Sequence, residues 1–329
     1  MNKFRQVLLV ISVFVCSFVA APSAVAATQT PQTPSTQGQK AVLVTGASTG
    51  IGRKITQVLA ENGYFVYAGA RKDQDLAELN EIDNVEAVRL DVTKQQDIDA
   101  AVVRIADAGR GLYGIVNNAG VAVFSPMNDT PEEDIDFVFD VNIYGPYRIN
   151  KAFAPLLIAS KGRTTTIGSI SGIISGAQSG TYSMSKFAIE AYTDALAAEM
   201  AEAGVHVSVI EPGGFKSKIR EKVVLHSIGK TPEEVASMTA EEKAELEGLQ
   251  QMIERNEALK EPDAVAEATL HALFDENPRP RYMVTPNQEQ AEITIRTALT
   301  RVAQLNADQP YSYTRDQLVE MLDAALAAQ

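Results

Sequence analysis

The chain has 329 residues, of which 45% are hydrophobic and 22% charged, with a formal net charge of −13 at pH 7 and one cysteine. This composition is typical of a globular protein with a sizeable core, and the length corresponds to one large domain with appendages or to two small ones. The acidic balance argues against nucleic-acid binding, and one cysteine with three histidines supplies too few ligands for a Cys/His zinc site, so we expect neither nucleic acid nor metal.

The first residues have the layout of a secretory leader. Lys3 and Arg5 precede an apolar stretch at residues 7–20, and small residues follow it. We expect residues 1–27 to be a signal peptide, so that the protein is exported to the periplasm or secreted. The alternative is an uncleaved membrane anchor through residues 7–27, although the stretch is short for a spanning helix, which needs about 20 residues.

Beyond a Pro/Thr/Gln-rich linker at residues 28–39, short β-branched runs alternate with longer helical stretches. Apolar strands separated by helices predict a parallel sheet covered on both faces, the doubly wound α/β (Rossmann) fold, in a single domain at residues 40–286. The predicted strands are 41–45, 64–70, 85–90, 114–117, 164–168, 205–210 and 281–285, and the predicted helices are 51–62, 73–80, 95–108 and 182–202.

Two segments do not follow this alternation. Residues 215–261 are polar and acid-rich and follow the carboxyl end of a predicted strand. Ligands of open α/β sheets bind beyond that end, so we expect a helical lid over a substrate pocket; solvated surface helices are the alternative. Residues 287–329 have two further helical patterns, and we expect a C-terminal helical extension used for packing or for an oligomer contact.

A glycine-rich motif, TGASTGIG at residues 45–52, lies between the first strand and the first helix. Gly46 allows a tight turn, Gly50 allows the backbone to approach a pyrophosphate, and Gly52 allows close packing of helix and strand. The helix that follows offers free N–H groups and a positive dipole end to a phosphate. This context favours a dinucleotide site over a purely structural turn.

The order of the motifs extends this interpretation. With G-x-x-x-G-x-G after a threonine, Asn117-Asn118-Ala119-Gly120, Ser169, and Tyr182-x-x-x-Lys186, residues 40–285 closely resemble the short-chain dehydrogenase/reductase family. The resemblance implies an enzyme that interconverts an alcohol and a ketone or aldehyde by hydride transfer with a nicotinamide cofactor. It also implies a small-molecule substrate and a homo-oligomer, either a dimer or a tetramer.

Tyr182 and Lys186 are the central pair of the predicted chemistry. They are four residues apart in a helical stretch, so both side chains project from one face, and a nearby ammonium favours the phenolate. Tyr182 can then exchange a proton with a substrate oxygen. The resemblance assigns Ser169 to hydrogen-bonding the same oxygen, Lys186 also to the nicotinamide ribose, and Asn142 to holding a water in a proton relay. Ser171 is the rival for the serine role, but the thirteen-residue spacing favours Ser169.

The end of the second strand bears on cofactor choice. An acidic residue there suits the ribose 2′-OH of NAD(H), whereas an arginine suits the 2′-phosphate of NADP(H). Ala70 stands at the expected acidic position and Arg71 follows it, so we predict NADP(H) over NAD(H). The motif and the resemblance together predict cofactor contacts from Gly46, Ser48, Thr49, Gly50, Ile51, Gly52, Arg71, Asp91, Val92, Asn117, Ala119, Gly120, Tyr182, Lys186, Pro212, Gly213 and Ser217.

The substrate pocket is less defined. Within the family, the chain looks most like members that act on hydroxysteroids, retinoids and similar apolar compounds. Five apolar side chains are candidates for lining an apolar pocket, or are ordinary core: Phe124, Met127, Ile173, Ile174 and Phe215. The competing function is a nucleotide-binding sensor or scaffold that uses the same fold with NADP(H) but without turnover.

Overall fold

A computed structural model describes residues 38–230, 232–239, 242, 251 and 255–328. The predicted leader at residues 1–27 and all but the end of the predicted linker at residues 28–39 lie outside the described residues, as do parts of the predicted lid. Of the helices that are described, none is both long enough and apolar enough to cross a membrane.

Seven parallel strands form one sheet in the order β3-β2-β1-β4-β5-β6-β7. The strands are β1 (Ala41–Val44), β2 (Phe65–Ala70), β3 (Val85–Arg89), β4 (Gly114–Asn117), β5 (Arg163–Ile167), β6 (His206–Pro212) and β7 (Arg281–Val284). All four residues of β1 are buried, as expected for a strand that is covered on both faces. The predicted doubly wound α/β fold is therefore confirmed.

Helices pack on both faces of the sheet. The described helices are α1 (Gly50–Glu61), α2 (Asp73–Leu79), α3 (Gln95–Asp107), α4 (Glu132–Phe139), α5 (Gly145–Ser160), α6 (Gly180–Ala201), α7 (Ile219–Ser227), α8 (Pro232–Ser237), α9 (Asp263–Phe274), α10 (Gln288–Asn306) and α11 (Arg315–Ala327). A π-helical turn, Asp140–Tyr144, joins α4 to α5. The hydrogen bonds of a π-helix span one more residue than those of an α-helix, and such turns occur frequently at functional sites.

Alternate residues of β1 contribute to two separate hydrophobic clusters, one on each face of the sheet. Val42 and Val44 pack in a cluster that includes Ile55 of α1 and Leu273 of α9. Ala41 and Leu43 pack in the other cluster, which includes residues of α3 and α5. This division follows from the two-residue period of a strand, which sends successive side chains to opposite faces.

The strand order reverses between β1 and β4, because β1 pairs with β2 on one side and with β4 on the other. In doubly wound folds, ligands bind at this reversal, beyond the carboxyl ends of the strands. The chain segments that leave the strands at this edge are the glycine-rich turn after β1 and the loops after β2, β3, β4, β5 and β6. These segments contribute to the walls of the candidate site.

Candidate active site

A cavity of about 740 Å³ lies at the carboxyl ends of the strands. The glycine-rich turn, the end of β2, the loop after β4, Ser169, Tyr182, Lys186 and the segment that follows β6 all contribute to its lining. Residues 215, 217–222 and 225 belong to the predicted lid and also line it. One cavity therefore brings together motif residues as distant in the chain as Gly46 and Ser217.

The turn after β1 requires glycine at two positions. Gly46 and Gly50 have φ angles of +64° and +58°, which L-residues adopt only at a cost. A Cβ on Gly46 would lie 2.8 Å from the Cα of Ala119, and one on Gly50 would lie 3.2 Å from the Cβ of Ser217. The turn leads into α1, which has no acidic residue in its first turn and no side-chain cap. The helix N-terminus thus offers N–H groups and a positive dipole end to an anion.

Two residues that hold this turn in place were not among the predicted site residues. The Asn118 side-chain amide donates hydrogen bonds to the carbonyl oxygens of Thr45 and Gly46, each at 3.0 Å. The Thr45 hydroxyl accepts from the backbone N–H groups of Asn118 and Ala119, also at 3.0 Å. Asn118 stands between two predicted residues, Asn117 and Ala119. Its side-chain nitrogen lies so close to Gly52 that a Cβ on that residue would clash with it. The only sequence signal was its position in the N-N-A-G motif.

Tyr182 lies near the start of α6 and faces the cavity. Burial raises the pKa of its phenol, and a side-chain hydrogen bond with Ser169 acts in the opposite direction. The backbone N–H of Ser171 donates to the Ser169 hydroxyl at 3.1 Å, which orients that hydroxyl. Ser169 rather than Ser171 is therefore the serine that is hydrogen-bonded to Tyr182. On another side, the Phe124 ring packs edge-on against the phenol ring at a centroid distance of 5.9 Å.

Lys186 is buried one helical turn beyond Tyr182. Burial lowers the pKa of its ammonium to about 8, although the charge of Glu190 raises it. The ammonium donates a hydrogen bond of 2.8 Å to the Ile167 carbonyl and lies 5.6 Å from the centroid of the Tyr182 ring. The sequence predicts that this ammonium favours the Tyr182 phenolate, but burial has the larger effect and the pKa of Tyr182 lies above its usual value.

Asn142 lies in the π-helical turn and is buried behind the cavity wall. Its amide oxygen accepts from the Val121 N–H at 2.9 Å, and its amide nitrogen donates to the Val121 carbonyl and to the Ser185 hydroxyl. Ser185 in turn donates to the Tyr182 carbonyl at 2.7 Å. These contacts join the loop after β4 to the start of α6. The side chain of Asn142 therefore stabilises the base of the site.

Most of the predicted cofactor residues line the cavity, but two do not. Gly52 packs on Asn118 within the turn, so it shapes the site from behind. The Asn117 side chain is buried in the sheet and donates toward Asn150 and Thr164, each at 3.4 Å. Those that do line it are Gly46, Ser48, Thr49, Gly50, Ile51, Arg71, Asp91, Val92, Ala119, Gly120, Tyr182, Lys186, Pro212, Gly213 and Ser217.

One end of the cavity is basic. Its lining includes Arg71, Lys72, Lys218, Arg220 and Lys222. Arg71 is 3.7 Å from the carboxylate of Asp91 and its side chain is 63% exposed, so its guanidinium faces solvent as well as the cavity. Burial and the charges of Arg71 and Lys72 lower the pKa of Lys222, whereas the charges of Asp75 and Glu221 raise it. Lys218 is paired with Glu221 at 2.9 Å. An anion bound between Arg71 and Lys222 would be stabilised by both cations.

A second part of the cavity lining is apolar. Phe124, Ile174, Phe215, Leu225 and Ile293 contribute to it. Two predicted pocket residues, Met127 and Ile173, are not among the lining residues: the Met127 sulfur packs beside Gly180. Helix α10 contributes Ile293 and Gln290, and the side-chain amide oxygen of Gln290 accepts a hydrogen bond from the Gly214 N–H at 2.8 Å. The C-terminal extension thus forms part of the site, which no motif indicated.

Comparison with known proteins identifies the family of this chain. The family model for short chain dehydrogenases matches residues 40–227. The chain belongs to the short-chain dehydrogenase family.

Among the curated members of this family, bovine (Bos taurus) mitochondrial D-beta-hydroxybutyrate dehydrogenase is 38% identical over 188 residues, which are 54% of this chain and 55% of that protein. Mouse (Mus musculus) retinol dehydrogenase 7 is 33% identical over 253 residues, covering 74% of this chain and 79% of that protein. The matches to three mammalian hydroxybutyrate dehydrogenases span 54–57% of their length.

Solved short-chain dehydrogenases share the fold at low sequence identity. The enzyme from Burkholderia phymatum, in complex with NAD, superposes with a TM-score of 0.67 at 23% identity and covers 84% of this chain and 98% of its own. The enzyme from Burkholderia cenocepacia J2315, in complex with NADP, has a TM-score of 0.62 at 23% identity and covers 83% and 98%.

The described residues of this family member fit a nicotinamide dinucleotide. The turn at Gly46 and Gly50 is a cradle that a Cβ would fill, the start of α1 is open to a pyrophosphate, and the basic end suits a further anion. The described residues contain no group of three or more His, Cys, Asp or Glu arranged to hold a metal ion.

Proposed function

We propose that the protein is an oxidoreductase that interconverts an alcohol and a ketone or aldehyde with NADP(H) as cofactor. One observation carries this proposal: a half-buried tyrosine, hydrogen-bonded to Ser169 and one helical turn from a buried lysine, lines the same cavity as the glycine-rich turn. A nicotinamide cofactor, when bound, supplies or accepts the hydride. The predicted catalytic set is Asn142, Ser169, Tyr182 and Lys186.

In this proposal Tyr182 exchanges a proton with the substrate oxygen, and Ser169 hydrogen-bonds the same oxygen. The raised pKa of Tyr182 keeps its phenol protonated at neutral pH, so it is ready to donate to a carbonyl oxygen. The Lys186 ammonium stabilises the negative charge that then develops on the phenol oxygen. Asn142 positions the start of α6 through Ser185. The arrangement suits carbonyl reduction, which is therefore the direction to assay first.

The apolar part of the cavity lining supports the proposal of an apolar substrate. Phe124, Ile174 and Leu225 offer dispersion contacts and no hydrogen bond to a polar substrate. One relative is named a retinol dehydrogenase, and retinol is an apolar alcohol. We propose that the segment at residues 215–261 acts as the lid over this part of the cavity, because its described residues already contribute to the wall.

The choice of NADP(H) over NAD(H) rests on the basic end of the cavity. Ala70 leaves no carboxylate at the end of β2 to hold a ribose 2′-OH, and Arg71 follows it. A guanidinium binds a phosphate in bidentate fashion, whereas it adds little to a neutral hydroxyl. The additional cations from the lid segment, Lys218, Arg220 and Lys222, favour the same cofactor.

Turnover with a panel of apolar ketones and aldehydes tests the activity. The parent protein should oxidise NADPH, and Tyr182→Phe, which keeps the ring and removes the hydroxyl, should lose at least about a hundredfold in kcat/KM. Binding of NADPH to both proteins, measured by fluorescence, is the control for a folded site. If neither protein turns over any carbonyl but both bind NADPH, the sensor or scaffold function takes the place of the enzyme.

Dissociation constants for NADPH and NADH test the cofactor. The parent should bind NADPH more tightly by about tenfold or more, and Arg71→Ala should lose most of that preference. Arg104→Ala is the matched control, because Arg104 is an exposed arginine on α3 that pairs with Glu86 and is remote from the motif. Equal affinities of the parent for the two cofactors would contradict the assignment.

We also propose that residues 1–27 are an export signal, on the strength of the charge and apolarity pattern alone. An intact-mass measurement of the protein purified from its native host tests this. Loss of the first 27 residues supports cleavage and export, retention with membrane fractionation supports an anchor, and retention in the soluble cell fraction contradicts both.

A further inference from the structure

A cluster of charged side chains lies directly behind Lys186, outside the cavity. Glu190 follows Lys186 by one turn of α6, Glu211 lies near the end of β6, and Arg281 begins β7. The Arg281 guanidinium is 3.0 Å from one Glu190 oxygen, 2.7 Å from Asp194 and 3.7 Å from Glu211. None of these groups has a part in the mechanism proposed above.

Two carboxylate oxygens in this cluster have no donor. Oε1 of Glu190 and Oε1 of Glu211 are both buried, and among the described residues neither receives a hydrogen bond. Glu211 is only 2% exposed. A buried carboxylate oxygen without a donor is costly, but the cost disappears if one carboxyl group is protonated and donates to the other.

The surroundings favour that protonation. Burial, the charge of Glu190 and the nearness of the Glu190 carboxyl group raise the pKa of Glu211 to about 8, and the charge of Arg281 acts in the opposite direction. Like charges in one buried site do not both ionise readily, and such a pair titrates as a unit. With one proton between them, the two carboxyl groups carry one negative charge beside one guanidinium.

The position of Glu190 links this pair to the candidate site. Its Oε1 lies against the backbone of the loop that carries Ser169: a Cβ on Gly172 would be 3.1 Å from it, and one on Gly168 would be 3.4 Å away. Small residues in that loop thus leave room for the carboxyl group. The charged and titratable groups that face the pair are Lys186 and Asp194 from α6 and Arg281 from β7, and Lys186 itself faces Tyr182.

We propose that Glu190 and Glu211 share a single proton, and that the negative charge left on Glu190 keeps the Lys186 ammonium charged in its buried position. Glu190 is then a positioning residue that acts through Lys186, and Glu211 holds the charge of the pair at one. The consequence for catalysis rests on the function proposed above. The shared proton and the charge of Lys186 do not, so they can be measured without turnover.

The first experiment follows the titration of Lys186 by NMR, with lysine labelled at Cε and the signal identified by its loss in Lys186→Arg. In the parent the ammonium should titrate near pH 8. Removing the charge of Glu190 removes the influence that raises this pKa, so the midpoint in Glu190→Gln should move to lower pH. Asp194→Asn is the matched control, since it removes another carboxylate partner of Arg281 that faces solvent. A midpoint that is the same in all three proteins overturns the link.

The second experiment tests the shared proton. A protonated carboxyl group gives an infrared C=O band that Glu211→Gln should remove at pH 7, and absence of that band from the parent overturns the proposal. Because the folded pKa of Glu211 is raised from 4.5 to about 8, its stabilising contribution is present below the unfolded value and is lost as pH rises to the folded one. As the pH rises from 4.5 to about 8, the urea midpoint of the parent should therefore decrease relative to the urea midpoint of Glu211→Gln.

If the protein reduces carbonyls as proposed, the alkaline limb of the kcat/KM profile should move to lower pH in Glu190→Gln and stay in place in Asp194→Asn. Absence of turnover in the parent contradicts the proposed function while the NMR and infrared results still decide the present inference. If Glu190→Gln does not fold, the infrared band of the parent and the titration of Lys186 in Glu211→Gln decide it: a glutamine mimics the protonated acid, so the Lys186 midpoint should be unchanged.

Discussion

Thr45 is buried at the end of β1, and its hydroxyl accepts hydrogen bonds from two backbone N–H groups, those of Asn118 and Ala119. Backbone N–H groups that are buried without an acceptor are costly, at about 1–3 kcal/mol each. A single oxygen atom, that of the Thr45 hydroxyl, therefore helps to hold the shape of the glycine-rich turn.

Replacing Thr45 with valine keeps the volume and removes the hydroxyl. The Ala119 N–H then loses its acceptor, and the Asn118 N–H keeps only the Val116 carbonyl at 3.1 Å. We expect Thr45→Val to lower the free energy of unfolding by about 1–3 kcal/mol and Thr45→Ser, which keeps the oxygen, to lower it by less. Urea denaturation measures both. Equal stability of the two variants would show that the hydroxyl is not the acceptor that the turn depends on.

A second prediction at the residue scale separates the backbone cost of a glycine from its role in the cradle. Gly50 and Gly109 both have positive φ angles, +58° and +68°, but a Cβ meets Ser217 only at Gly50, and nothing lies within 4 Å at Gly109. Alanine at either site should cost about 1–2 kcal/mol of stability. Only Gly50→Ala should also weaken NADPH binding, by about tenfold or more. Similar dissociation constants for the two variants would argue against a cofactor at this turn.

At the scale of elements, the predicted strands and helices lie close to the observed ones. The strand predicted at residues 114–117 is β4 without change, and the one predicted at 164–168 is β5, shifted by one residue. Such segments are within reach of sequence patterns because apolar runs of fixed period determine them. The π-helical turn that carries Asn142 leaves no such periodic signal.

The same limit applies to the site. Tyr182, Lys186 and Ser169 belong to a spaced motif and were named in advance, and the structure brings them into one cavity. Gln290 and Glu190 were missed because their importance depends on which segments the fold brings together: Gln290 contacts a loop 76 residues earlier. Asn117 is also predicted to contact the cofactor, but its side chain is buried against Asn150 and Thr164, a placement that the spacing of the motif does not indicate.

Helices α10 and α11 make unequal contributions, although both belong to the C-terminal extension. No residue of α11 is buried, whereas α10 buries Thr294 and contributes Gln290 and Ile293 to the cavity. A chain that ends after Ala307 should therefore keep its stability to within about 0.5 kcal/mol, as for changes at an exposed surface, and its affinity for NADPH.

A chain that ends after Asn287 is the matched comparison, because it also removes α10. It should lose stability and bind NADPH more weakly, and denaturation curves and fluorescence titrations measure the two effects. If the longer truncation behaved like the shorter one, α10 would not be part of the site. If the shorter one were already destabilised, α11 would have a covering partner in solution.

At the scale of the whole molecule, the family resemblance predicts a dimer or tetramer formed through α5 and α6. The exposed side of α6 has small apolar residues, Ala191, Ala195 and Ala198, which let two helices approach closely. Ala195→Glu places a charge on that side and should shift sedimentation toward the monomer. Ala324→Glu, on exposed α11, is the control. A parent protein that sediments as a monomer would contradict the predicted assembly.

The order of the strands also bears on how the chain is made. β1 is the first strand to be synthesised and lies inside the sheet, β2 and β3 extend it on one side, and β4 to β7 add one after another on the other side. Every strand after the first therefore joins an edge that already exists when it leaves the ribosome, and the sheet can grow in the order of synthesis. The wall that α10 supplies comes last, so the nascent chain can acquire its fold well before it is able to retain a ligand.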